Sequence, residues 1–144
     1  VAVFILGSFI SFSTGTSYGT MGILMPLAIP LAYAVGKNYG LDGDAMHAYM
    51  IVNISSVLTG AIFGDHCSPI SDTTILSSMG AGCSHIDHVS TQMIYALSVC
   101  AVCVLVGYLP VALGLSVWIA LPCGFLAIWA LVRFVGKKVE EKAA

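Results

Sequence analysis

Two aspartates, Asp65 and Asp72, flank Pro69 in a polar stretch, residues 64–74, that interrupts a long apolar run. A proline lacks the backbone N–H and clashes with the preceding helical turn, so a helix opens there and frees carbonyl oxygens. Carboxylate, hydroxyl and carbonyl oxygens are the ligands that hard cations prefer. The stretch therefore predicts a site for a small cation or a proton. The predicted ligands are Asp65, Asp72, Ser68, Ser71 and Thr73.

A second polar stretch, Ser11 to Thr20, carries closely spaced hydroxyls and no charge. Gly15 and Gly19 within it permit positive φ angles and a close approach of the backbone. We expect this stretch to be unwound and to offer neutral oxygens to the same cation. The candidate ligands are Ser13, Thr14, Thr16 and Ser17. Serine and threonine also cap broken helices and join membrane helices, and this alternative stays open.

The elements that carry these stretches are predicted from composition to lie in a membrane. Hydrophobic residues make up 58% of the chain, charged residues 8%, and the mean hydropathy is +0.98. A soluble domain carries roughly 25% charged residues, so lipid must cover much of this chain. The formal net charge of -2 offers no basic surface, and no nucleic-acid partner is expected.

About 20 apolar residues cross a bilayer core of about 30 Å, and windows of that length predict four spans. The predicted segments are 1–35 (broken span), 36–47 (loop), 48–82 (broken span), 83–91 (loop), 92–109 (span), 111–135 (span) and 136–144 (tail). The fold class is thus an all-α membrane protein with two discontinuous helices. Because cytoplasmic flanks are rich in Lys and Arg, the tail after Arg133 is predicted to be cytoplasmic.

An aspartate inside a membrane costs at least roughly 2.5 to 3.5 kcal/mol on insertion scales, so something must neutralise it. A bound cation or a proton can do so, and the two would compete for one anionic site. The alternative for Asp65 is a carboxylate satisfied by backbone donors at a helix end. The alternative for Asp72 is the dipole of a half-helix begun by Ser68 and Pro69. Gly60 and Gly64, four residues apart, indicate close helix packing.

Three histidines are candidates for a proton relay or a pH sensor: His66, His85 and His88. The alternative for His85 and His88 is a solvated loop. Cys83 and Asp87 nearby could add metal ligands, but the spacing is not a standard one. No resident metal or cofactor is predicted, and no nucleophile, base and orienting group occur together as an enzyme would need.

The stretch 64–74 resembles the signature of the NhaC family of sodium/proton antiporters. Ser11 to Thr20 resembles that family's other polar loop, and 88–92 the segment after the signature, with Ile94 a departure. The resemblance implies a multi-span helical transporter half, the C-terminal part of a larger carrier in the inner membrane. It implies exchange of sodium for protons, with the lipid bilayer, the N-terminal half and the transported cation as partners.

Two questions stay open at this stage. Related carriers with the same signature exchange organic anions such as malate and lactate, using sodium or protons, and helix N-termini at the two breaks could hold a carboxylate. The oligomeric state, including a homo-oligomer, is not fixed by the residues.

Overall fold

The computed structural model describes residues 1–136, and all their regular secondary structure is helical. The helices are α1 (Ala2–Thr14), α2 (Ser17–Asn38), α3 (Gly43–Cys67), α4 (Asp72–Gly80), α5 (His85–Val102), a π-helix (Cys103–Tyr108), α6 (Leu109–Ala112) and α7 (Val117–Val135). Four helical stretches are long and apolar enough to cross a membrane: Ser17–Asn38, Gly43–Cys67, His85–Ala112 and Val117–Phe134. The prediction of an all-α membrane protein is confirmed. The chain divides into two compact units after Ala96, and each is described by itself.

The first unit begins with a helical hairpin rather than with one interrupted span. Gly15 follows α1 in the left-handed conformation, with φ of 67°, and Thr16, the N-cap of α2, is extended. Val3 and Leu6 of α1 line one apolar cavity with Leu27 of α2, so the start of α1 lies beside the middle of α2. The two helices are therefore antiparallel, and the segment 1–35, predicted as one broken span, contains a helical hairpin.

The unwound stretch is also shorter than predicted, since only Gly15 and Thr16 lie outside the helices. The hydroxyls of Ser13 and Thr14 donate to the carbonyls of Phe9 and Ile10, one turn earlier in α1. Bonds of this kind let serine and threonine remain inside a helix. Ser11 to Thr20 is thus polar but mostly helical.

The hairpin packs against α3 through small residues. A Cβ at Gly60 would overlap the carbonyl oxygen of Phe4, and one at Gly64 would overlap that of Ser8. The contacts advance in the same direction along both chains, so α1 and α3 run parallel. Missing Cβ atoms let the two backbones approach closely, and the packing interpretation of these glycines is confirmed.

Replacing Gly64 with Ala is expected to destabilise the first unit by about 1 to 3 kcal/mol, because the added methyl group overlaps backbone that cannot move aside. The matched control is Gly22→Ala on α2, where a Cβ meets nothing within 4 Å. Thermal unfolding of the full-length protein in detergent measures both. Equal melting temperatures for the two variants would contradict the tight α1 to α3 contact.

The second break is a link of four residues, 68–71, between α3 and α4. Ser68 and Pro69 do not start the new helix, since α4 begins at Asp72. The Ser68 hydroxyl donates instead to the carbonyl of Phe12 on α1, 2.7 Å away. Ser71 caps α4 instead and accepts from the backbone N–H of Thr73 at 3.3 Å. With nine residues, α4 is roughly 14 Å long, about half of a bilayer core.

The remaining boundaries differ from the predicted ones in a regular way, because polar residues continue the helices instead of ending them. The loops predicted at 36–47 and 83–91 shrink to 39–42 and 81–84. Helix α5 begins at His85 rather than residue 92.

In the second unit the helix passes through Pro110, where the sequence predicted a boundary, and ends at Ala112. Pro110 has no backbone N–H to donate within the helix. The π-helix that ends two residues before it has wider turns, which accommodate the loss of that hydrogen bond. The predicted tail, 136–144, lies outside the described residues except for Gly136.

Candidate cation site

The carboxylate of Asp65 joins the two helix breaks. Asp65 lies in the last turn of α3 and is half-buried. Ser17, the first residue of α2, donates its hydroxyl to Oδ2 at 3.0 Å, and Ser71, the cap of α4, donates to Oδ1 at 2.7 Å. Each carboxylate oxygen thus receives one hydroxyl, each from a different break. The structure brings together residues that are 48 and 6 positions apart in sequence.

Thr73 extends this cluster by one hydroxyl. Its Oγ1 lies 2.8 Å from the Oγ of buried Ser71. Because the single Ser71 proton is directed to Asp65, the Thr73 hydroxyl donates to Ser71. A chain of oxygens therefore runs from exposed Thr73 through Ser71 to Asp65, and oxygen clusters of this kind suit a hard cation.

No basic side chain balances the Asp65 carboxylate within residues 1–136. The one salt bridge of that part joins Lys37 to Asp42, in the turn between α2 and α3. A half-buried carboxylate with hydroxyl partners and no basic partner is free to accept a cation or a proton. The described residues also contain no group of three His, Cys, Asp or Glu side chains able to hold a metal ion.

Asp72 is the first residue of α4, and its side chain is exposed. A carboxylate in this position is stabilised by the helix dipole whether or not a cation is present. The position fits the helix-end alternative, although Ser71 rather than Ser68 is the cap. A role for Asp72 in cation binding stays a prediction.

The other predicted oxygens have different partners. Ser68 is buried and bonded to α1, and Ser13 bonds within its own helix. Thr14 donates to Ile10 in its own helix and lies 3.5 Å from the Thr20 hydroxyl of α2, and the Thr16 oxygen accepts from the backbone N–H of Gly19 at 3.2 Å. Of the second polar stretch, Ser17 is the residue whose side chain contacts Asp65. These positions favour capping and packing for most of the hydroxyls.

The three histidines lie on helices. His66 follows Asp65 on α3 with its ring exposed, and His88 is half-buried on α5. His85 is half-buried, with Nε2 2.7 Å from the carbonyl of Pro69 and Nδ1 3.1 Å from the hydroxyl of Ser78. The solvated-loop interpretation is wrong for His85, because both ring nitrogens have protein partners.

Sequence reasoning missed Gln92 of α5 as part of this region. Its Nε2 donates to the His66 carbonyl at 2.8 Å and lies 2.9 Å from the His66 Nε2. The available signal was its spacing: Gln92 follows His85 by seven residues, two turns along one helix face. Ser11 was missed as well, and it donates to the Ala61 carbonyl between α1 and α3 at 2.6 Å.

Apolar spanning helices and a carboxylate shared by two helix breaks define a membrane protein with a candidate site for a small cation. The chain belongs to the Na+/H+ antiporter family, whose model matches residues 1–113. The resemblance drawn from residues 64–74 is thereby confirmed, and the chain is part of a transporter family rather than an enzyme family.

Three relatives illustrate the family. An uncharacterized protein of Haemophilus influenzae is 47% identical over 116 residues, which cover 81% of this chain and 20% of the relative. An uncharacterized Na(+)/H(+) antiporter of the same organism is 34% identical over 62% of this chain, and a Malate-2H(+)/Na(+)-lactate antiporter of Bacillus subtilis is 32% identical over 65%. The chain spans about a fifth of the length of these relatives, 20%, 17% and 18%. No solved structure matches it.

Proposed function

We propose that the chain forms part of a secondary carrier that exchanges sodium for protons, and that Asp65 is the group for which the two ions compete. The observation that carries the proposal is the carboxylate of Asp65 held by Ser17 and Ser71, one hydroxyl from each helix break. Membership of the Na+/H+ antiporter family supports it.

The exchange cycle follows from the charge of this site. Sodium or a proton can each neutralise the carboxylate, but the two cannot occupy the same oxygens together. A site that is neutral with either ion can change its exposure across the membrane, whereas the empty anion is costly to move. Coupling therefore arises from competition at one carboxylate. Asp72, Thr73 and Ser68 remain candidate contributors, and the relatives' greater length leaves room for further ligands.

Exchange of an organic anion is the second candidate, favoured by the malate and lactate antiporter among the relatives. The local geometry favours the cation. Thr16 and Ser71 already cap the N-termini of α2 and α4, so fewer backbone N–H groups are left for a carboxylate substrate. The negative charge of Asp65 beside both N-termini also repels an anion.

We further propose the cytoplasmic membrane as the location, with α1 and α4 as discontinuous helices at membrane depth. Helices this short expose backbone groups at their ends, which is tolerated where protein or a water-filled cavity surrounds them. The end of α7 at Arg133 is placed on the cytoplasmic side.

The decisive experiment measures dye-reported proton flux in vesicles that contain the full-length protein. Sodium, lithium, potassium and malate are added in turn, with protein-free vesicles as the control. Flux with sodium and without malate supports the proposal. Flux that requires malate would reject sodium/proton exchange and support exchange of an organic anion.

Replacing Ser71 with Ala is expected to raise the sodium concentration for half-maximal exchange by roughly fivefold, the effect of one lost hydrogen bond of ordinary strength. The matched control is Ser77→Ala on the same helix, because Ser77 is exposed and donates to the Thr73 carbonyl in its own helix. Sodium titration of vesicle exchange measures both. An unchanged half-maximal concentration in Ser71→Ala would remove this hydroxyl from the site.

A further inference from the structure

The break next to Asp65 leaves two peptide carbonyls with partners from outside their own helix. The carbonyl of His66, in the last turn of α3, accepts from Gln92 Nε2 at 2.8 Å and lies 3.4 Å from the hydroxyl of Thr74. The carbonyl of Pro69, inside the link, lies 2.7 Å from His85 Nε2. Carbonyls freed at a helix end must find such partners when water is scarce.

The two nearer partners, Gln92 at 2.8 Å and His85 at 2.7 Å, belong to one face of α5. His85 and Gln92 are seven residues apart, two turns of an α-helix, so their side chains leave the helix on the same side. Helix α5 thus forms hydrogen bonds to the backbone on both sides of Ser68, at His66 before the four-residue link and at Pro69 within it.

We propose that His85 and Gln92 are positioning residues that hold the break open at a fixed width, and thereby fix the distance between Asp65 and the Ser71 hydroxyl. The inference rests on the proposed function for its transport readout. Neither residue contacts Asp65. Each acts through a backbone carbonyl, that of Pro69 two residues before Ser71 and that of His66 one residue after Asp65.

The number of hydrogen bonds that His85 makes depends on how many protons its ring carries. A carbonyl only accepts, so Nε2 must carry a proton toward Pro69. The Ser78 hydroxyl has one proton, and it lies 2.8 Å from the Ile75 carbonyl and 3.1 Å from His85 Nδ1. With a neutral ring the hydroxyl can serve only one of these acceptors. With the doubly protonated ring, Nδ1 donates to Ser78, Ser78 donates to Ile75, and all the bonds form at once.

Protonation of His85 therefore strengthens the link between α4, α5 and the break, and loss of that proton removes one bond. The ring's two hydrogen-bond partners, the Pro69 carbonyl and the Ser78 hydroxyl, do not titrate in the working range. The nearby titratable side chains are Asp72 on α4, Cys83 in the preceding turn, Asp87 and His88 on α5, and His66 at the end of α3.

Hydrogen exchange of the full-length protein tests the proposal without assuming a substrate. In His85→Ala and Gln92→Ala, the amides of 68–74 should exchange roughly fivefold faster than in the wild type, as expected for one lost hydrogen bond. Ser90→Ala is the control, because Ser90 is exposed on α5 and donates to its own helix at the Ile86 carbonyl. Hydrogen exchange of these amides at the wild-type rate in both His85→Ala and Gln92→Ala would overturn the proposal.

His85→Gln tests the bond to the Pro69 carbonyl by itself, because its amide can still donate to that carbonyl. Protection of 68–74 in this variant should stay within about twofold of the wild type. A loss of protection as large as that in His85→Ala would contradict a positioning role for this bond.

Sodium-dependent exchange in vesicles adds the functional readout. His85→Ala and Gln92→Ala should raise the apparent KM for sodium by roughly fivefold, whereas His85→Gln should stay within about twofold. An unchanged KM in both Ala variants would contradict the positioning role. Absence of sodium-dependent exchange in the wild-type protein would instead reject the proposed function. In that case the hydrogen-exchange rates of the amides of 68–74 would still test whether His85 and Gln92 position the break.

Discussion

Replacing Asp65 with Asn is expected to lower sodium-dependent proton exchange by two to three orders of magnitude, to about the level of protein-free vesicles. Asn keeps the shape and can still bond to Ser17 and Ser71, but it removes the charge that attracts both ions. Two unit charges about 4 Å apart at an effective dielectric constant of about 20 attract by about 4 kcal/mol. Loss of that attraction removes both sodium affinity and proton affinity.

The matched control is Asp44→Asn, because Asp44 is an exposed carboxylate in the first turn of α3, at the end opposite to Asp65. Exchange in vesicles and the amount of inserted protein are measured for each variant. Asp65→Asn should insert normally, since the neutral side chain is cheaper to place in a membrane. Wild-type exchange in Asp65→Asn would reject the proposed site. Asp72→Asn, measured alongside, decides whether the carboxylate at the start of α4 takes part.

The apparent KM for sodium is expected to fall as pH rises, by up to about tenfold for each pH unit, which corresponds to about 1.4 kcal/mol. Acidification adds protons to the carboxylate, and a protonated site is closed to sodium. Where protons hold most of the sites, each unit of acidification reduces the sites available to sodium tenfold. Where protons hold few of the sites, the dependence flattens.

Sodium titrations at several pH values separate this mechanism from a distant pH sensor. Competition shifts the KM and leaves the maximal rate constant, whereas a distant group that acts on the turnover step changes the maximal rate. The shift should persist in His85→Gln, because it originates at Asp65. A KM that is independent of pH would exclude competition at a shared carboxylate and leave Asp65 with a structural role.

The sequence by itself determined the class of protein and the region of the candidate site. Spans of about 20 apolar residues can be recognised without a structure because lipid selects composition along the whole helix. The cost of a carboxylate in such a span singled out residues 64–74, and the same stretch carried the family resemblance that the comparison confirmed.

The ends of the helices and the hydrogen-bond partners of the polar side chains could not be predicted from composition. The hydroxyls of Ser13 and Thr14 looked like an unwound loop, but they bond to carbonyls one turn back and remain helical. Polar composition does not distinguish these outcomes, because serine and threonine satisfy a backbone carbonyl equally well inside a helix or beside a break.

Only the tertiary structure decided which of many polar residues meet at one point. In the structure, Ser17 and Ser71 are the hydrogen-bond partners of Asp65. Gln92 and His85 form hydrogen bonds to the backbone carbonyls at the break. The physical reason is distance along the chain. The contact of Ser17 with Asp65, 48 residues apart, depends on how α1 and α2 fold back and how closely the glycines of α3 let α1 approach. The contact of Gln92 with His66, 26 residues apart, depends on how α5 returns to the end of α3. No local pattern of residues contains that information.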